Sequence, residues 1–380
     1  MNSLKKEIGF LSLLLLLTGA LFAFKLGATG LLDPDEPFYS LTAKEMLQSH
    51  ETLTPLLFGK PQFEKPILSY WIFYACFKLF GVHEFSARLG PCLAGMLTVF
   101  LTYFWARVLF RRKESAFISA VILATSCVFL VLARIVLTDM FFCLFVTAAL
   151  FSFSAGYACL ERRKIAWNLL FVFCALGFLT KGPLGVLLPF FGIVTFLLLN
   201  EEAGLLKEFP WATGILLFAL VGLPWYAQMT LKHGVDFLRH FFIHENVQRF
   251  FMAEHPSNDK PFFYPLVLWV GFFPWSVFLP AALWRAFKKA GTRRSREAQT
   301  FLFLAASFAP SFFFFMMAKS KLISYIFPLF PVVALVAGAW VYRLWRGLRM
   351  GLKPTIRFQC LCGLFWGVLP AAIVAGRLVL

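Results

Sequence analysis

The stretch IGFLSLLLLLTGALFAFKLGATG, residues 8–30, contains one charged residue, Lys25, and is followed at once by LLDPDEP, residues 31–37. A helix that crosses a bilayer needs roughly 20 consecutive apolar residues, so this stretch is long enough to span. Lys5 and Lys6 precede it. A cleaved signal peptide has a shorter apolar region. We therefore interpret the stretch as an uncleaved first span whose N-terminus lies in the cytoplasm.

The rest of the chain repeats this apolar pattern. Of its 380 residues, 60% are hydrophobic and only 14% are charged, whereas soluble domains carry about 25% charged residues. The sequence predicts an all-α polytopic membrane protein with about eleven transmembrane helices. After the first span, the apolar runs fall at about 86–110, 115–133, 140–159, 165–180, 183–199, 211–229, 263–284, 299–317, 322–342 and 358–377.

The formal net charge of +17 comes from short basic clusters between the apolar runs. If sides are assigned alternately from a cytoplasmic N-terminus, every strongly basic cluster falls on the cytoplasmic side, as the positive-inside rule requires. This distribution predicts a multi-pass protein of the inner membrane and argues against nucleic-acid binding, which needs a basic face on a soluble fold.

Two of the predicted outer segments are long, at about 31–85 and 230–262. The first contains two helix-like amphipathic stretches, 39–49 and 67–80, which suit helices that lie at the membrane surface. We expect residues 1–380 to form a single integral-membrane domain, with these two outer segments forming the site and no separate soluble domain.

Ionisable residues occur in the outer segments directly beside apolar sequence. A single lysine such as Lys65 or Lys181 is typical of a side chain that snorkels at a helix end, and Glu36 suits a turn as well as a site. The combination is more informative, because ionisable groups at membrane depth are costly and usually functional. The residues are Asp33, Asp35, Glu36, Glu64, Lys65, Arg134, Asp139, Lys181, His244, Glu245, Arg249, Lys319, Lys321 and Tyr325.

This mixture of acids and cations indicates a chemistry. Several separated Lys and Arg side chains suit a phosphate or pyrophosphate headgroup. Asp35 and Asp139 suit proton abstraction from a hydroxyl, or an oxocarbenium-like charge. No glycine-rich nucleotide loop is evident, which argues against a nucleotide-sugar donor or an ATP-driven pump. The pattern matches inverting glycosyl transfer from a lipid phosphate. The alternative is a secondary transporter or lipid flippase, which would place its ionisable residues near the bilayer midplane.

Ordered motifs carry a family resemblance. Phe63-Glu64-Lys65-Pro66 and Thr180-Lys181-Gly182-Pro183 are the most specific of them. From about residue 30 to 331 the chain resembles the bacterial membrane glycosyltransferases of the GT-C fold. It is similar to the lipid A aminoarabinose transferases and, more distantly, to the protein O-mannosyltransferases. The other matching motifs are Asp35-Glu36, Phe80-Gly81-Val82, Arg88-Leu89, Thr138-Asp139, Glu245-Asn246, Arg249-Phe250 and Ser320-Lys321-Leu322 with Tyr325 and Pro328.

The resemblance implies a GT-C-like helical bundle and a role for each matching residue. Asp35 would be the catalytic carboxylate at the acceptor, with Glu36 beside it and Asp139 as a second essential acid. Lys65 would hold the carrier phosphate, with Glu64 nearby. The donor headgroup and its sugar would be lined by Lys181, Arg249, Lys321 and Tyr325. We add to the substrate-binding set the neighbouring outer residues Tyr39, Arg134, Glu245 and Lys319.

The family also has a metal site, associated with a His beside the Glu of the Glu-x-x-x-Arg-Phe segment and with the Glu of Phe-Glu-Lys-Pro. Here the matching position is Asn246, and His244 lies two residues earlier. We therefore expect no required cofactor, and if a divalent metal binds, Glu64 and His244 are its candidate ligands. The expected activity is transfer of a sugar from a polyprenyl-phosphate donor of the undecaprenyl type to a lipid, glycan or protein acceptor on the extracytoplasmic face.

Overall fold

A computed structural model describes residues 2–252, 258–291 and 295–350, and the regular secondary structure within them is helical apart from one short hairpin. The first helix continues into a π-helical turn, Gly19–Ala23, and a second π-helical segment covers Arg239–Gln248. The α-helices are α1 Asn2–Thr18, α2 Asp35–Gln48, α3 Leu68–Phe80, α4 Glu84–Phe110, α5 Lys113–Ala124, α6 Cys127–Leu132, α7 Asp139–Ala158, α8 Arg163–Lys181, α9 Leu184–Leu199, α10 Trp211–Gly222, α11 Pro224–His233, α12 Val235–Leu238, α13 Arg249–Phe251, α14 Phe263–Gly271, α15 Leu279–Ala290, α16 Arg296–Met317 and α17 Phe330–Arg349.

The predicted spans correspond to helices throughout the described part of the chain. Within it, 6 helices are long and apolar enough to cross a membrane, or up to 8 if each of two bent helix pairs is one span. Two predicted runs form shorter helices: 115–133 is divided into α5 and α6, and 183–199 forms α9, which has 16 residues. The predicted run 358–377 lies outside the described residues.

Two of the interrupted spans contact each other at their breaks. The chain bends by 113° between α14 and α15, and the break between α5 and α6 lies against this bend. The N–H of Cys127 donates to the carbonyl of Phe273 at 2.9 Å, and the indole N–H of Trp275 donates to Thr125 at 2.8 Å. Unpaired backbone groups cost several kcal/mol in lipid. Each break therefore satisfies polar groups that the other exposes.

The helices α8 and α9 approach each other closely just after the turn that contains Lys181. A Cβ atom on Gly185 would lie 2.2 Å from the carbonyl carbon of Gly177, so any larger residue would force the helices apart. Small residues allow such close backbone packing in membranes. The packing fixes the position of the turn at Gly182, whose φ of +65° also favours glycine.

The bundle has two chemically different ends. Helices α4, α7, α16 and α17 each run from one end to the other, and 20 residues of helix rise about 30 Å, the thickness of the hydrocarbon core. At one end, ion pairs join segments that the alternation of sides had placed together, such as Lys181 with Asp139 and Lys65 with Glu245. These ion pairs bring residues of the predicted outer segments together. The basic connections lie at the other end.

The first outer segment contains the two helices predicted for it, α2 and α3. Between them lies an unpredicted two-stranded antiparallel hairpin, β1 Leu56–Leu57 with β2 Lys60–Pro61. Its turn uses Gly59 at φ +71°, and the Glu45 carboxylate accepts the N–H groups of Phe58 and Gly59, both at 2.9 Å. The hairpin is thus bound to α2, which begins at the candidate site.

Candidate functional site

The neighbouring acids Asp35 and Glu36 point in different directions at the start of α2. Glu36 is buried and faces Arg88 of α4, which donates to both carboxylate oxygens at 2.9 and 2.7 Å. The same oxygens accept the backbone N–H groups of Val136 and Leu32, each at 2.8 Å. The carboxylate is therefore surrounded by donors. Glu36 was predicted as a catalytic acid, and these contacts give it a structural role.

Arg88 extends this junction to the end of the first span. Its guanidinium donates to the carbonyls of Leu26, Thr29 and Gly30 at 3.1, 2.8 and 2.8 Å. Burial alone would raise the pKa of Glu36, but the hydrogen bonds from Arg88 and from two backbone N–H groups hold that pKa below its usual range. Glu36 therefore stays ionised, and the pair joins the chain after α1 to α2 and α4.

Asp35, the first residue of α2, is exposed on the other side of this junction. Partial burial and the negative charge of Asp139 raise its pKa above the usual range, while the positive charge of Lys65 acts in the opposite direction. These interactions place Asp35 within electrostatic reach of both residues. A solvent-accessible carboxylate with a raised pKa is suited to accept a proton.

Asp139 and Lys181 form the closest ion pair of the candidate site. The Lys181 Nζ lies 2.6 Å from Asp139 Oδ1, and both side chains are largely buried. Asp139 is the first residue of α7, where the positive end of the helix dipole stabilises a carboxylate. Lys181 is the last residue of α8, and its ammonium lies 5.3 Å from the ring centre of Tyr325. The pair brings three predicted site residues together.

A second charged cluster is centred on Glu245. Arg249 lies 3.0 Å from its Oε2 atom and Lys65 lies 3.7 Å from the same atom. Burial lowers the pKa of Lys65, and the positive charges of Arg249 and Lys181 lower it further against the opposing effect of Glu245. Lys65 and Arg249 thus lie on the same acid, with Glu64 also near Lys65, so the cluster offers two cations to an anionic ligand.

Two tyrosines and Glu64 connect the clusters. Burial raises the pKa of Tyr39, and the negative charges of Asp139, Asp35 and Glu64 add to the effect, so its hydroxyl stays protonated. Tyr70 is completely buried, with its ring centre 6.1 Å from that of Tyr39. Tyr70 was not predicted, because in the sequence it is one aromatic residue among many.

Three predicted substrate-binding residues have protein partners elsewhere. Arg134 donates to the carbonyls of Leu21, Phe22 and Phe24 at 2.8, 3.0 and 2.9 Å, so it anchors the end of the first span. Lys319 and Lys321 both pair with Asp259. Lys319 is mostly exposed, whereas Lys321 is buried.

Asp259 was not among the predicted site residues. It follows an outer segment without a motif, so only the fold brings it to Lys321. The hydrogen bond from the Asn258 side chain to the Lys321 carbonyl, at 3.1 Å, holds the two segments together.

An apolar cavity of about 370 Å³ opens beside the Glu245 cluster. Glu245, Arg249 and Tyr325 form part of its wall, and the buried Ser320 hydroxyl, which has no hydrogen-bond partner among the described residues, lines it as well. The rest of the wall is mainly apolar, from residues that include Leu184, Leu187, Phe242, Ile243, Phe250, Phe251, Phe314 and Phe315. An amphipathic ligand with one anionic group suits this arrangement.

The donor atoms of His240, His244 and Glu245 lie within 4.8 Å of one another and could hold a metal ion. The predicted candidate His244 belongs to this group, whereas the other candidate, Glu64, does not. The Glu245 carboxylate is already in contact with Arg249 and Lys65. A divalent cation there would meet two positive charges, so these residues do not fit a metal well.

Solved structures share this fold. The ArnT structure from Cupriavidus metallidurans bound to undecaprenyl phosphate superposes with a TM-score of 0.81 at 26% identity, over 88% of this chain and 60% of that one. An oligosaccharyltransferase from Archaeoglobus fulgidus shares the fold alone, with a TM-score of 0.61 at 14% identity, covering 97% of this chain and 55% of that one. The GT-C-like bundle predicted from the sequence is therefore confirmed.

Curated relatives are similar along almost the whole chain. The undecaprenyl phosphate-alpha-4-amino-4-deoxy-L-arabinose arabinosyl transferase of Pectobacterium carotovorum is 32% identical over 92% of this chain and 61% of its own length. The corresponding transferase 1 of Pseudomonas fluorescens strain Pf0-1 is also 32% identical, over 92% and 60%. The chain thus spans about three fifths of the length of these relatives.

A family profile gives the assignment. The profile described as dolichyl-phosphate-mannose-protein mannosyltransferase matches residues 9–238, more than half of the chain. Together with its apolar helices, these similarities identify a multi-pass inner-membrane protein. The chain belongs to the dolichyl-phosphate-mannose-protein mannosyltransferase family of GT-C-fold membrane proteins.

Proposed function

We propose that this protein is an inverting glycosyltransferase that transfers a sugar from a polyprenyl-phosphate carrier of the undecaprenyl type to a lipid, glycan or protein hydroxyl. The names of the curated relatives, which specify an undecaprenyl-phosphate-linked aminoarabinose, support this donor class. The ArnT structure with bound undecaprenyl phosphate supports the carrier.

One observation carries the proposal: an open carboxylate, Asp35, lies in electrostatic reach of Lys65, which shares the acid Glu245 with a second cation, Arg249. A glycosyl phosphate is already a good leaving group, so it needs cations more than a general acid. An acceptor hydroxyl needs a base. The site offers both kinds of group within reach of one substrate.

The reaction follows from this division of charge. The acceptor oxygen attacks the anomeric carbon of the sugar and forms the new glycosidic bond, while its proton passes to Asp35. The bond between the anomeric carbon and the phosphate oxygen breaks, and its electron pair leaves with the polyprenyl phosphate, which gains one negative charge. Lys65 and Arg249 stabilise this developing charge as charge-assisted donors.

Asp139 and Lys181 would act as positioning residues in this mechanism. Their 2.6 Å contact holds both side chains in place, and the Asp139 charge raises the pKa of Asp35, which makes it a stronger base. Tyr325, over whose ring the Lys181 ammonium lies, would contact the sugar or its phosphate. Glu36 would act through Arg88 and the backbone rather than on the substrate.

The apolar cavity of about 370 Å³ supplies a place for the first isoprene units of the carrier. Its wall combines phenylalanine and leucine side chains with Arg249, so the chain would lie against the apolar part and the phosphate against the cation. Such a combination of an apolar surface with a few polar groups is typical of small-molecule sites.

We place the site at the extracytoplasmic face. The basic connections lie at the opposite end of the bundle, and the positive-inside rule assigns that end to the cytoplasm. The N-terminus would then also be cytoplasmic. The charged residues of the site lie at one end of the helices rather than midway along them, which favours a transferase over the secondary transporter or lipid flippase considered from the sequence.

The test is transfer of labelled sugar from defined polyprenyl-phosphate donors in membranes that contain the wild type, Asp35→Asn, Asp139→Asn or Asp33→Asn. Loss of the general base lowers rates by about 10²–10⁴-fold, so Asp35→Asn should lose most activity. Asp33 is exposed and two residues away, and Asp33→Asn should stay active. Equal transfer by all variants, or absence of transfer by the wild type from every polyprenyl-phosphate donor, would contradict the proposal.

A further inference from the structure

A second cavity, of about 550 Å³, lies at the end of the bundle opposite the candidate site. Among the residues that the structure describes, its wall contains one acid, Glu297, and no lysine. We call it the arginine cavity, because six arginines line it: Arg111, Arg112, Arg285, Arg296, Arg343 and Arg346.

The arginines of this cavity come together from several separate segments. The ordinary excess of basic residues on one side of a membrane does not require such a meeting. The six arginines come from the end of α4, the start of α5, the middle of α15, the start of α16 and the end of α17. Arg111 and Arg296 lie near enough for their like charges to repel. Folding therefore gathers positive charge that separate connections would have kept apart, and an anion would relieve the repulsion.

The acids near this end leave the charge uncompensated. Glu297 pairs with Arg285 and Lys289, each at 3.3 Å. Glu7 and Glu114 are also engaged, since Glu7 pairs with Arg107 and Lys113, and Glu114 with Lys6. Within residues 2–252, 258–291 and 295–350, no salt bridge involves the cavity residues Arg111, Arg112, Arg343 and Arg346.

The residue type and the backbone both favour phosphate. Arginine presents a planar fork of donors that matches phosphate geometry, whereas lysine is a point charge. Helices α5 and α16 begin at the cavity, and the positive ends of their dipoles add to the attraction for an anion. The nearby Lys288 and Lys289 do not line the cavity.

The neighbouring structure indicates a lipid rather than a soluble anion. A mainly apolar cavity of about 260 Å³ adjoins the arginine cavity and shares Leu109, Arg296 and Thr300 with it. Its wall combines the apolar Val108, Phe153, Phe196 and Phe303 with the polar Ser154, Tyr157 and Gln299. A ligand that has a phosphate headgroup and an acyl chain could occupy both cavities at once.

We propose that the arginine cavity binds the phosphate headgroup of an anionic phospholipid, with one acyl chain in the adjoining apolar cavity. Basic pockets between transmembrane helices bind such headgroups in membrane proteins. The lipid would join the ends of α4, α5, α16 and α17 on the side of the membrane opposite the candidate site.

The test compares two double variants of the full chain that remove the same charge. Arg343→Gln with Arg346→Gln alters the arginine cavity. Lys5→Gln with Lys288→Gln is the control, because both lysines are exposed at the same end and do not line the cavity. Native mass spectrometry would count the phosphatidylglycerol molecules retained by each purified protein over a titration with that lipid. Phosphatidylcholine and inorganic phosphate serve as separate probes.

We expect the wild type and the control to retain phosphatidylglycerol, and the cavity variant to bind it at least about tenfold more weakly, since a charged hydrogen bond contributes about 1.5–3 kcal/mol. Arg112→Gln with Arg343→Gln should weaken binding similarly and provides an independent variant. Equal weakening in the cavity and control variants would overturn the proposal. So would equal retention of phosphatidylcholine, or displacement of phosphatidylglycerol by millimolar inorganic phosphate.

Discussion

Two regions that meet at the adjacent residues Asp35 and Glu36 use the same kinds of charged groups for different purposes. In the Glu36–Arg88 junction, every polar contact is made within the protein, and both side chains are almost completely buried. In the cluster around Lys65 and Glu245, two cations share one carboxylate at 3.7 and 3.0 Å, and the nearby Asp35 is open to solvent. A structural ion pair therefore differs from a reactive one in whether its hydrogen-bonding groups are all satisfied within the protein, and not in its residue types.

The largest effect that would sharpen this contrast is on stability. Arg88→Met leaves the buried Glu36 carboxylate without its cation, and breaking a buried pair in this way costs about 3–5 kcal/mol. Thermal unfolding in detergent should therefore show a much lower transition temperature for Arg88→Met, whereas Asp35→Asn should unfold like the wild type.

A double-mutant cycle provides the control for that prediction. Glu36→Gln added to Arg88→Met removes the unpaired charge and should recover part of the lost stability. If Arg88→Met unfolded at the wild-type temperature, the Glu36–Arg88 junction would not stabilise the fold.

A smaller effect is expected on donor use. Lys65→Ala removes a cation from the proposed phosphate site, a loss of about 1.5–3 kcal/mol, or roughly tenfold to a hundredfold in apparent donor affinity. The measurement is the rate of transfer against the concentration of polyprenyl-phosphate sugar. Lys60→Ala, on the exposed strand β2, is the matched control. Unchanged dependence on donor concentration in Lys65→Ala would remove Lys65 from the phosphate site.

The smallest effect concerns pH. Asp35 must be deprotonated to act as a base, so activity falls as pH drops through its pKa, which partial burial and Asp139 raise. The acid limb of kcat/KM, which reports the free enzyme, should therefore lie above the range of an ordinary aspartate. Lys65 lowers that pKa, so residual activity of Lys65→Ala should show the limb at still higher pH. A limb that moves to lower pH would contradict the assignment of Asp35.

The sequence predicted the spans well because twenty apolar residues have few alternatives to crossing a membrane. It did not predict the break between α5 and α6, since Thr125-Ser126-Cys127 contains neither proline nor glycine. That break depends on hydrogen bonds to residues 273 and 275, which only the tertiary fold brings near.

The site shows the same division. Asp139 follows one outer turn and Lys181 precedes another, and they belong to adjacent spans. The sequence could therefore predict that these two residues lie near each other. Asp35 and Glu36 could not be distinguished from each other, because their different directions depend on where α2 begins and on Arg88. Arg134 and Asp259 illustrate the same limit, since their partners lie more than 60 residues away in the sequence.

The short turn before α7 is held from both sides by residues that touch no proposed substrate. Arg134 donates hydrogen bonds to carbonyls at the end of the first span, and Glu36 accepts the N–H of Val136. The position of Asp139 therefore depends on two other segments. A chimera that exchanges the first outer loop between relatives would need to carry Arg88 and this turn along with it. The first outer loop and the placement of Asp139 would therefore have to be exchanged as one unit.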